Sequence, residues 1–223
     1  MARNWVVVGC GGHGREVADV LRQVLRNTDG RLLGFLDEDP KNTGTDLAGW
    51  PVLGDLSWLR HPPEPLSIAL GIGSSRMRKD VVGRIKAMGL AHDFPPIIHP
   101  DARIGARVSL GEGALVQAGC ILTCDIQVGA FVILNIGASL SHDVTVGDFA
   151  TLAPGSRMAG AVAVGELAEV GMNTSVIQNV RLGAACTTGA GTVVIRDVPQ
   201  ETTVVGVPAR PVGQTSPHSP PGF

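Results

Sequence analysis

The side chains best suited to proton transfer are the histidines, because the ordinary pKa of imidazole lies closest to neutral pH. His142 is followed directly by Asp143, and a carboxylate beside an imidazole raises its basicity and fixes its orientation. This pair could take a proton from an attacking amine or hydroxyl group; a solvated surface histidine is the alternative. The sequence has six histidines: His13, His61, His92, His99, His142 and His218.

A glycine-rich turn near the N-terminus is a second candidate site. An apolar run from Trp5 to Val8 predicts a buried strand, and residues 9–14 then read Gly-Cys-Gly-Gly-His-Gly. Apolar residues from Val17 to Leu25 follow at helical spacing. Glycines in such a turn let the backbone approach a phosphate, and the helix N-terminus favours negative charge. The turn therefore predicts a phosphate site, unless it only tightens a strand-to-helix corner.

Two further strand ends are predicted at the same sheet edge. Residues 31–36 form the second predicted strand, which is followed by Asp37 and Glu38. Residues 68–72 form the third, which is followed by Gly73. Because the loops after parallel strands share the usual ligand edge, Asp37 and Glu38 could bind a ribose or a base. A solvated turn is the alternative for this acidic pair.

The rest of the chain is organised by a six-residue period. From Ile97 to Val198 the sequence divides into seventeen hexads without a slip of register. The second residue of every hexad is aliphatic or Met except at Thr188, and the sixth is small or aliphatic. A period of six fits no helix and indicates short strands joined by tight corners, with positions two and six pointing inward. The pattern predicts an all-β solenoid.

Glycines indicate the size of one turn of this solenoid. The third position of every third hexad is glycine, so that three hexads form one triangular coil and these glycines stack along one edge. We expect them at corners because glycine reaches positive φ without steric cost. The residues, each 18 after the last, are Gly111, Gly129, Gly147, Gly165 and Gly183.

The same register places His142 at the fourth, outward-facing position of its hexad. Its neighbours one coil away are Cys124 and Gly160, and both are small enough to leave a groove beside the imidazole. Ser141 precedes His142, but neighbouring side chains on an extended chain point in different directions. We therefore do not expect Ser141, His142 and Asp143 to form a nucleophilic triad.

Composition excludes several classes of partner. The net charge is −2 with 17 % charged residues and no polybasic run, so a nucleic-acid partner is not expected. The N-terminus enters a strand at once without a signal peptide. The most apolar window, residues 115–140, is interrupted by polar residues and has a period of six, so we interpret it as solenoid core and expect a cytoplasmic protein. The four cysteines form no Cys-x-x-Cys pair, and we predict neither a disulfide nor a metal site.

A short α/β segment with Gly-Gly-His-Gly, joined to a hexapeptide solenoid that ends in Gly-Val-Pro-Ala-Arg, resembles the sialic acid O-acetyltransferase family, which includes the UDP-amino-sugar N-acetyltransferases. The resemblance implies an α/β Rossmann-like nucleotide-sugar-binding domain over residues 1–96. It also implies an all-β left-handed parallel β-helix acyltransferase domain over 97–210, and we expect a disordered tail over 211–223. The α/β part is too short for a full dinucleotide fold, so a mononucleotide suits it better.

The resemblance also implies the site residues. Asn135 and the run from His142 to Phe149 match a family segment, which implies that His142 is the catalytic base, Asp143 supports it and Asn135 faces the acceptor. Some members of the family, including the amino-sugar enzymes, have Glu where this chain has the shorter Asp143. Acetyl-CoA would contact Thr151, Gly171 and Gly189. The nucleotide sugar would contact Gly11, Gly12 and His13 near the phosphates, Asp37 and Glu38 near the base or ribose, and Gly73.

The function that follows is acetyl transfer from acetyl-CoA to the amine of a nucleotide-linked amino sugar, without a metal. O-acetylation of sialic acid or another sugar hydroxyl is the alternative, and a non-catalytic nucleotide-binding scaffold is a remote one. A three-histidine metal enzyme is disfavoured, because the solenoid contains only His99 and His142. The family resemblance and the apolar outward positions Phe131, Ile133 and Ile136 predict a homo-oligomer, as a trimer with active sites at subunit interfaces.

Overall fold

The computed structural model describes residues 3–62 and 66–214, and these residues divide into two compact units. The first unit consists of Met1–Gly73 and Met77–Pro100. The second consists of Ser74–Arg76 and Asp101–Phe223. Each unit has its own hydrophobic core.

The first unit is a parallel sheet with helices, as predicted. The sheet order is β3–β4–β2–β1–β5, in which only β3 is antiparallel to its neighbour. Val6, Val7 and Phe35 are completely buried in the sheet, and helix α1 contributes the buried Val17 and Leu21 to the same core. In chain order the elements are β1 Asn4–Val8, α1 Gly12–Val24, β2 Arg31–Leu36, β3 Asp46–Leu47, β4 Trp50–Gly54, a 3₁₀ helix Leu56–Arg60, β5 Ser67–Leu70, α2 Ser75–Ala87 and β6 Ile97–Ile98.

Strands β3 and β4 are the elements of this sheet that were not predicted from the sequence, and β4 is the longer of the two. It contains Pro51 and begins after Gly49, and both residue types disfavour strands in a single-sequence assessment. The strand pairs in parallel with β2 through Phe35 and Val52. On its other side β4 pairs with the short β3, where Pro51 lies opposite Asp46 and the Val52 N–H donates to the Thr45 carbonyl at 2.9 Å.

The second unit is a triangular parallel β-helix, as predicted. Each strand pairs with the strand one coil later, so that residues 18 apart are neighbours, for example Ser139 and Arg157. Strands β7, β10, β13, β16, β19 and β22 form one face, and β8, β11, β14, β17 and β20 form the next. The third face runs from β9 through β12, β15, β18 and β21 to the closing hairpin β23–β24.

The strands of this unit are short, mostly two residues each. In chain order they are β7 Arg103–Ile104, β8 Val108–Leu110, β9 Leu115–Val116, β10 Ile121–Leu122, β11 Ile126–Val128, β12 Ile133–Leu134, β13 Ser139–Leu140, β14 Thr145–Val146, β15 Thr151–Leu152, β16 Arg157–Met158, β17 Ala163–Val164, β18 Glu169–Val170, β19 Ser175–Val176, β20 Arg181–Leu182, β21 Thr187–Thr188, β22 Val193–Val194, β23 Thr202–Val205 and β24 Arg210–Gln214.

The inward assignment of hexad positions two and six is confirmed from residue 114 onward, where both positions are buried in every coil. Thr188 breaks the apolar column but stays 2 % exposed. Its hydroxyl lies 3.0 Å from that of Thr174 and accepts a hydrogen bond from the Gly171 amide at 3.0 Å. A buried hydroxyl with two partners is well satisfied, which explains why this interior tolerates it.

The predicted reason for the glycine column was wrong. The residues with positive φ lie at the fifth position of fifteen consecutive hexads, and they include Asp143, Phe149 and Leu167. The third-position glycines do not have positive φ; instead, a Cβ atom on Gly147 would lie 2.5 Å from the backbone nitrogen of Glu166 in the next coil. These glycines are therefore required by the close approach of stacked backbones and not by backbone conformation.

Two other expectations are corrected by the structure. Phe131 and Ile133 are each only 2 % exposed, so of the three residues expected to form an apolar surface only Ile136, at 51 %, does so. Phe131 is instead stacked on Phe149, with ring centroids 5.2 Å apart. Residues 211–214, which we expected in a disordered tail, belong to strand β24, whereas residues 215–223 lie outside the described part of the chain.

Candidate active site

His142 and Asp143 lie at the corner that follows strand β13. The His142 Nδ1 atom lies 2.8 Å from the Asp143 Oδ2 atom, so the shorter carboxylate reaches the imidazole after all. Asp143 can do this because its φ of 63° turns the backbone at the corner. In the neutral imidazole, an Nδ1–H that donates to the carboxylate leaves the lone pair of Nε2 available to accept a proton. Both side chains are more than 60 % exposed in the single chain.

The imidazole of His142 packs against Gly160 in the coil that follows. A methyl group on Gly160 would lie 2.5 Å from His142 Cε1 and 2.6 Å from Nε2, so that only glycine leaves room for the ring. On the preceding coil, the backbone N–H of Asp143 donates to the carbonyl of Cys124 at 3.3 Å. Of the two predicted small neighbours, Gly160 therefore lies directly against the ring, whereas Cys124 contacts the backbone of Asp143.

A charged pair beside this corner was missed by sequence reasoning. Asp125 occupies the position one coil before Asp143 and forms a bidentate salt bridge with Arg107, with contacts of 2.5 and 2.8 Å. This hydrogen bonding lowers the pKa of Asp125, and the nearby His142 adds to the effect. The stacking of residues 18 apart is the signal that could have revealed the pair, because it places Arg107, Asp125 and Asp143 in one column.

The residues predicted to bind acetyl-CoA lie on a different corner. Asn135, which was predicted to face the acceptor, and the predicted acetyl-CoA residues Gly171 and Gly189 occupy equivalent hexad positions after strands β12, β18 and β21. Ala153 holds the same position in the coil between Asn135 and Gly171. Thr151, in β15, belongs to the same face. Strand β13 separates the Asn135 corner from His142 within one coil, so the residues predicted to bind acetyl-CoA and the predicted base lie on different parts of a single chain's coil.

The backbone donors at this second corner are already used. The Gly171 N–H donates to the Thr188 carbonyl at 3.0 Å, and the Gly189 N–H donates to the Val204 carbonyl at 2.8 Å. The Asn135 side-chain amide donates to the carbonyl of Leu152 at 3.1 Å. Any contact of the two glycines with a ligand must therefore be a packing contact or use a carbonyl oxygen.

In the first unit, the glycine-rich turn leads into helix α1, with Gly11 as its N-cap residue. Gly9 has a φ of +96°, and a Cβ on Gly14 would lie 2.0 Å from the Gly9 carbonyl oxygen, so these two glycines serve the turn itself. Around Gly11 and Gly12 there is open space within 4 Å. Because no side chain caps this helix end, the N–H groups there are available to an anion.

His13 lies in the first turn of α1, with its side chain 17 % exposed. Its Nδ1 atom lies 3.2 Å from Glu16, while its Nε2 atom is buried without a hydrogen-bond partner among the described residues. Burial lowers the pKa of His13, and the nearby Arg78 lowers it further, although Glu16 opposes both. His13 is therefore neutral near pH 7, with one ring nitrogen left for a ligand.

The loop after β5 is held by an arginine that sequence reasoning missed. Arg78 is 1 % exposed, and its guanidinium donates to the carbonyls of Ile72 and Gly73 at 2.9 and 2.7 Å. Gly73 itself has open space around its Cα. A buried arginine is rarely predicted from sequence, because charged side chains are usually solvated.

A cavity of about 310 Å³ opens at the carboxyl edge of the sheet. Asp37 and Glu38 both line it, and Glu38 forms a two-contact salt bridge with Arg84 at the rim. A pocket with an apolar wall and a few polar groups is typical of small-molecule sites. Its apolar wall includes Val8, Leu36, Leu56, Ile72 and Val81.

Within residues 3–62 and 66–214, no group of three or more His, Cys, Asp or Glu side chains could hold a metal ion. No helix in the same residues is long and apolar enough to cross a membrane. The four cysteines are all unpaired thiols, of which Cys10, Cys120 and Cys186 are buried.

Comparison with known proteins gives the class to which this fold and site belong. Residues 4–85 match the family described as the PglD N-terminal domain. The crystal structure of PerB from Caulobacter crescentus, in complex with CoA and GDP-perosamine, is 36 % identical with a TM-score of 0.85, and the match covers 94 % of this chain and 97 % of PerB. The acetyltransferase domain of PglB from Neisseria gonorrhoeae, in complex with acetyl coenzyme A, is 29 % identical with a TM-score of 0.84, over 95 % of this chain and 100 % of that domain.

A curated relative is also similar. GDP-perosamine N-acetyltransferase from Escherichia coli O157:H7 is 28 % identical over 127 residues, which are 56 % of this chain and 56 % of that protein. The match thus spans about half the length of this relative. Together with the near full-length structural matches, it shows that the chain belongs to the hexapeptide-repeat acyltransferases. The predicted family, left-handed β-helix and enzyme class are confirmed.

Proposed function

We propose that this protein transfers the acetyl group of acetyl-CoA to the amine of a nucleotide-linked amino sugar. The observation that carries the proposal is the His142–Asp143 contact of 2.8 Å on the β-helix, in a chain 36 % identical to a protein solved with CoA and GDP-perosamine. The N-acetyltransferase activity in the relatives' names favours an amine over a sugar hydroxyl as acceptor.

In the proposed mechanism His142 is the general base. Asp143 accepts the Nδ1–H, so that Nε2 takes a proton from the nitrogen as it attacks the thioester carbonyl. A C–N bond forms, and the tetrahedral intermediate carries the negative charge on the former carbonyl oxygen, which a backbone N–H or helix dipole stabilises. The C–S bond then breaks, and the imidazolium returns its proton to the CoA sulfur. The products are an acetamido sugar nucleotide and CoA, without a covalent acyl-enzyme.

The first unit supplies the groups for the nucleotide. The uncapped N-terminus of α1, with open space at Gly11 and Gly12, suits the negative charge of a diphosphate. The cavity beside Glu38 and Arg84 is of the size and polarity that a nucleoside requires. Gly73 and the Nε2 atom of His13 offer further contacts near this edge.

We further propose that the active form is a homotrimer in which neighbouring subunits complete each site. His142 lies on one corner of the coil, and Asn135, Thr151, Gly171 and Gly189 lie on another. The second corner also exposes the apolar side chains of Ile136 and Met172, at 51 % and 53 %. A second chain that covers these side chains can bring acetyl-CoA to the base, which one chain alone does not do.

The test uses purified protein, acetyl-CoA and a panel of acceptors. The panel holds GDP-, UDP- and dTDP-linked amino sugars together with free and CMP-linked sialic acid. Release of the CoA thiol gives the rate, and the product mass identifies the acceptor. We expect a gain of one acetyl group on an amino sugar nucleotide; acetylation of sialic acid alone would contradict the N-acyl proposal but leave the base in place.

The role of the base is tested with variants on the preferred acceptor. His142→Ala is expected to lower kcat by about 10²–10⁴-fold, and Asp143→Asn by a smaller factor, because it removes only the group that orients the ring. His61→Ala, at an exposed histidine of the first unit, serves as the matched control and should keep full activity. Full activity in His142→Ala would exclude the proposed mechanism.

A further inference from the structure

The Asp37 carboxylate at the end of β2 is fully engaged within the first unit. Its Oδ2 atom accepts hydrogen bonds from the backbone N–H of Cys10 at 3.1 Å and from the Cys10 thiol at 3.0 Å. Its Oδ1 atom accepts from the Asp39 backbone and the Asn42 side chain, each at 3.0 Å. A carboxylate has about four acceptor positions. All of them are therefore used, and none remains for a ribose hydroxyl or a base N–H.

The glycine-rich turn is held on the side that faces Asp37. Cys10 is 7 % exposed, and its sulfur also accepts a hydrogen bond from Asn42 at 3.4 Å. The Gly9 N–H donates to the carbonyl of Leu36, the residue before Asp37, at 2.7 Å. The opposite side of the turn, at residues 11 and 12, faces open space. Residue 10 thus anchors the turn, and the next two residues are presented to a ligand.

We infer that Asp37 is a positioning residue: it holds the glycine-rich turn through Cys10, so that the N–H groups of Gly11 and Gly12 face the diphosphate, and it does not contact the nucleotide itself. This inference rests on the proposed function for the identity of the ligand. The inference gives two adjacent carboxylates different roles: Asp37 holds the turn, and Glu38 is available to the nucleoside. Glu38 lines the cavity together with its salt-bridge partner Arg84 and retains acceptor positions for a nucleoside.

The protonation states of the pair agree with this role. Burial raises the pKa of the Cys10 thiol to about 11, and the hydrogen bond to Asp37 and its negative charge contribute to the rise. Burial also raises the pKa of Asp37, but the hydrogen bonds from Cys10, Asp39 and Asn42 outweigh it and hold that pKa below its ordinary value. At neutral pH the thiol is a donor and the carboxylate is an acceptor.

The first arm of the test needs no enzymatic activity. Cys10 alkylation by iodoacetamide is followed by peptide mass spectrometry in the wild type, Asp37→Asn and Glu38→Gln, with native tryptophan fluorescence as a check on folding. Loss of the Asp37 charge lowers the thiol pKa, so we expect Cys10 in Asp37→Asn to react about tenfold faster. Glu38→Gln, changed at the adjacent residue, should leave the rate within twofold of wild type.

The second arm measures binding of the nucleotide diphosphate by calorimetry, using GDP, UDP and dTDP. Asp37→Asn is expected to weaken binding about tenfold, and Cys10→Ala about two- to fivefold, because the amide of residue 10 still reaches the carboxylate. Since both changes act on one contact, the double variant should bind no more weakly than Asp37→Asn alone. Glu38→Gln should weaken binding independently, so that its effect adds to that of Cys10→Ala.

Additive effects of Asp37→Asn and Cys10→Ala, with unchanged alkylation of Cys10, would overturn the inference and make Asp37 a direct ligand. If Asp37→Asn does not fold, Cys10→Ala still decides, because it leaves the carboxylate free to bind a ligand. Under the inference it weakens binding, and under direct contact it leaves binding unchanged or tightens it. If no nucleotide binds the wild type, the proposed function fails, while the alkylation arm still decides whether Asp37 holds the turn.

Discussion

At the scale of single residues, two carboxylates act on their neighbours. Asp143 reaches His142 Nδ1 at 2.8 Å although aspartate is one of the shortest charged side chains. The left-handed φ of 63° at Asp143 supplies the reach that the side chain lacks. Asp37 likewise acts on the glycine-rich turn through two hydrogen bonds from Cys10, while two more, from Asp39 and Asn42, hold the carboxylate in its own loop. In both cases backbone geometry decides which atom the carboxylate touches.

The hydrogen bonds to Asp37 predict a pH dependence of stability. Its pKa is lowered in the folded protein, so its contribution is complete above the ordinary carboxyl pKa of about 4 and is lost as the pH falls through the folded value. At pH 7 Asp37→Asn should reduce the free energy of unfolding by about 1–3 kcal/mol. The difference from wild type should shrink as the pH is lowered from 5 toward 3.

Urea unfolding followed by tryptophan fluorescence measures this difference. All three tryptophans, Trp5, Trp50 and Trp58, lie in the first unit, so the signal reports on the unit that contains Asp37. Glu38→Gln is the control, because an exposed salt bridge contributes about 0–1 kcal/mol. A wild-type advantage that stays constant down to pH 3 would contradict the assignment of these hydrogen bonds.

At the scale of elements, the close stacking of coils fixes the position of the base. Gly160 lies one coil after His142, and its missing side chain is the space that the imidazole occupies. Gly160→Ala should displace the ring and lower kcat by about tenfold or more, because small misplacements of a base are costly. Gln178→Ala, at the exposed equivalent position one coil further, should have wild-type activity. Equal kcat in both variants would show that Gly160 does not seat the ring.

Substitutions at the third-position glycines and at the fifth-position residues with positive φ should differ in their effect on the stability of the β-helix. Gly147→Ala places a methyl group 2.5 Å from the Glu166 backbone nitrogen, and it should destabilise the β-helix by about 1–3 kcal/mol. Ala161→Gly, at a φ of 57°, relieves left-handed strain and should change stability by less than about 1 kcal/mol. Urea unfolding followed by circular dichroism compares them, and a harmless Gly147→Ala would refute the steric explanation.

At the scale of the whole molecule, the proposed chemistry is distributed over separate corners of the β-helix. The charged corner carries His142, Asp143 and the Arg107–Asp125 pair, whereas the corner with Gly171 and Gly189 is small and apolar. Under the proposed mechanism, neither corner alone holds both the base and the acetyl-CoA residues. This division is the physical argument for an assembly in which different chains contribute different corners.

The assembly can be tested at its exposed apolar side chains. Replacing both Ile136 and Met172 by Glu should convert a trimer into a monomer, as measured by light scattering, because two charges would have to be buried without partners. Activity should be lost together with the mass change. Met77→Glu, at a methionine of the first unit that is 59 % exposed, should keep the trimer mass. A double variant that remains trimeric and active would contradict the proposed interface.

Much of the fold was predictable because local patterns determine it. The hexad register from Ile97 to Val198 requires short strands with two inward positions in each hexad. The apolar run, the glycine-rich residues 9–14 and the helical spacing after them predict the first strand, turn and helix of the sheet. The stacking of Gly160 beside His142 also followed from the register alone. Strand β4 did not follow, since its pairing with β2 is a long-range contact and its own residues disfavour a strand.

The sequence by itself thus determined the repeat, the inward residues and the identity of the residues at each corner, because these depend only on periodicity. Only the tertiary structure decided which atoms are in contact. It shows that Asp143 contacts His142 and that the stacked glycines are required because neighbouring backbones lie close together. It also shows that the acceptor positions of Asp37 are already occupied by hydrogen bonds. Such contacts depend on backbone dihedral angles and on distances between residues far apart in the chain. A residue pattern does not give these dihedral angles and distances, and they are known only once the backbone is folded.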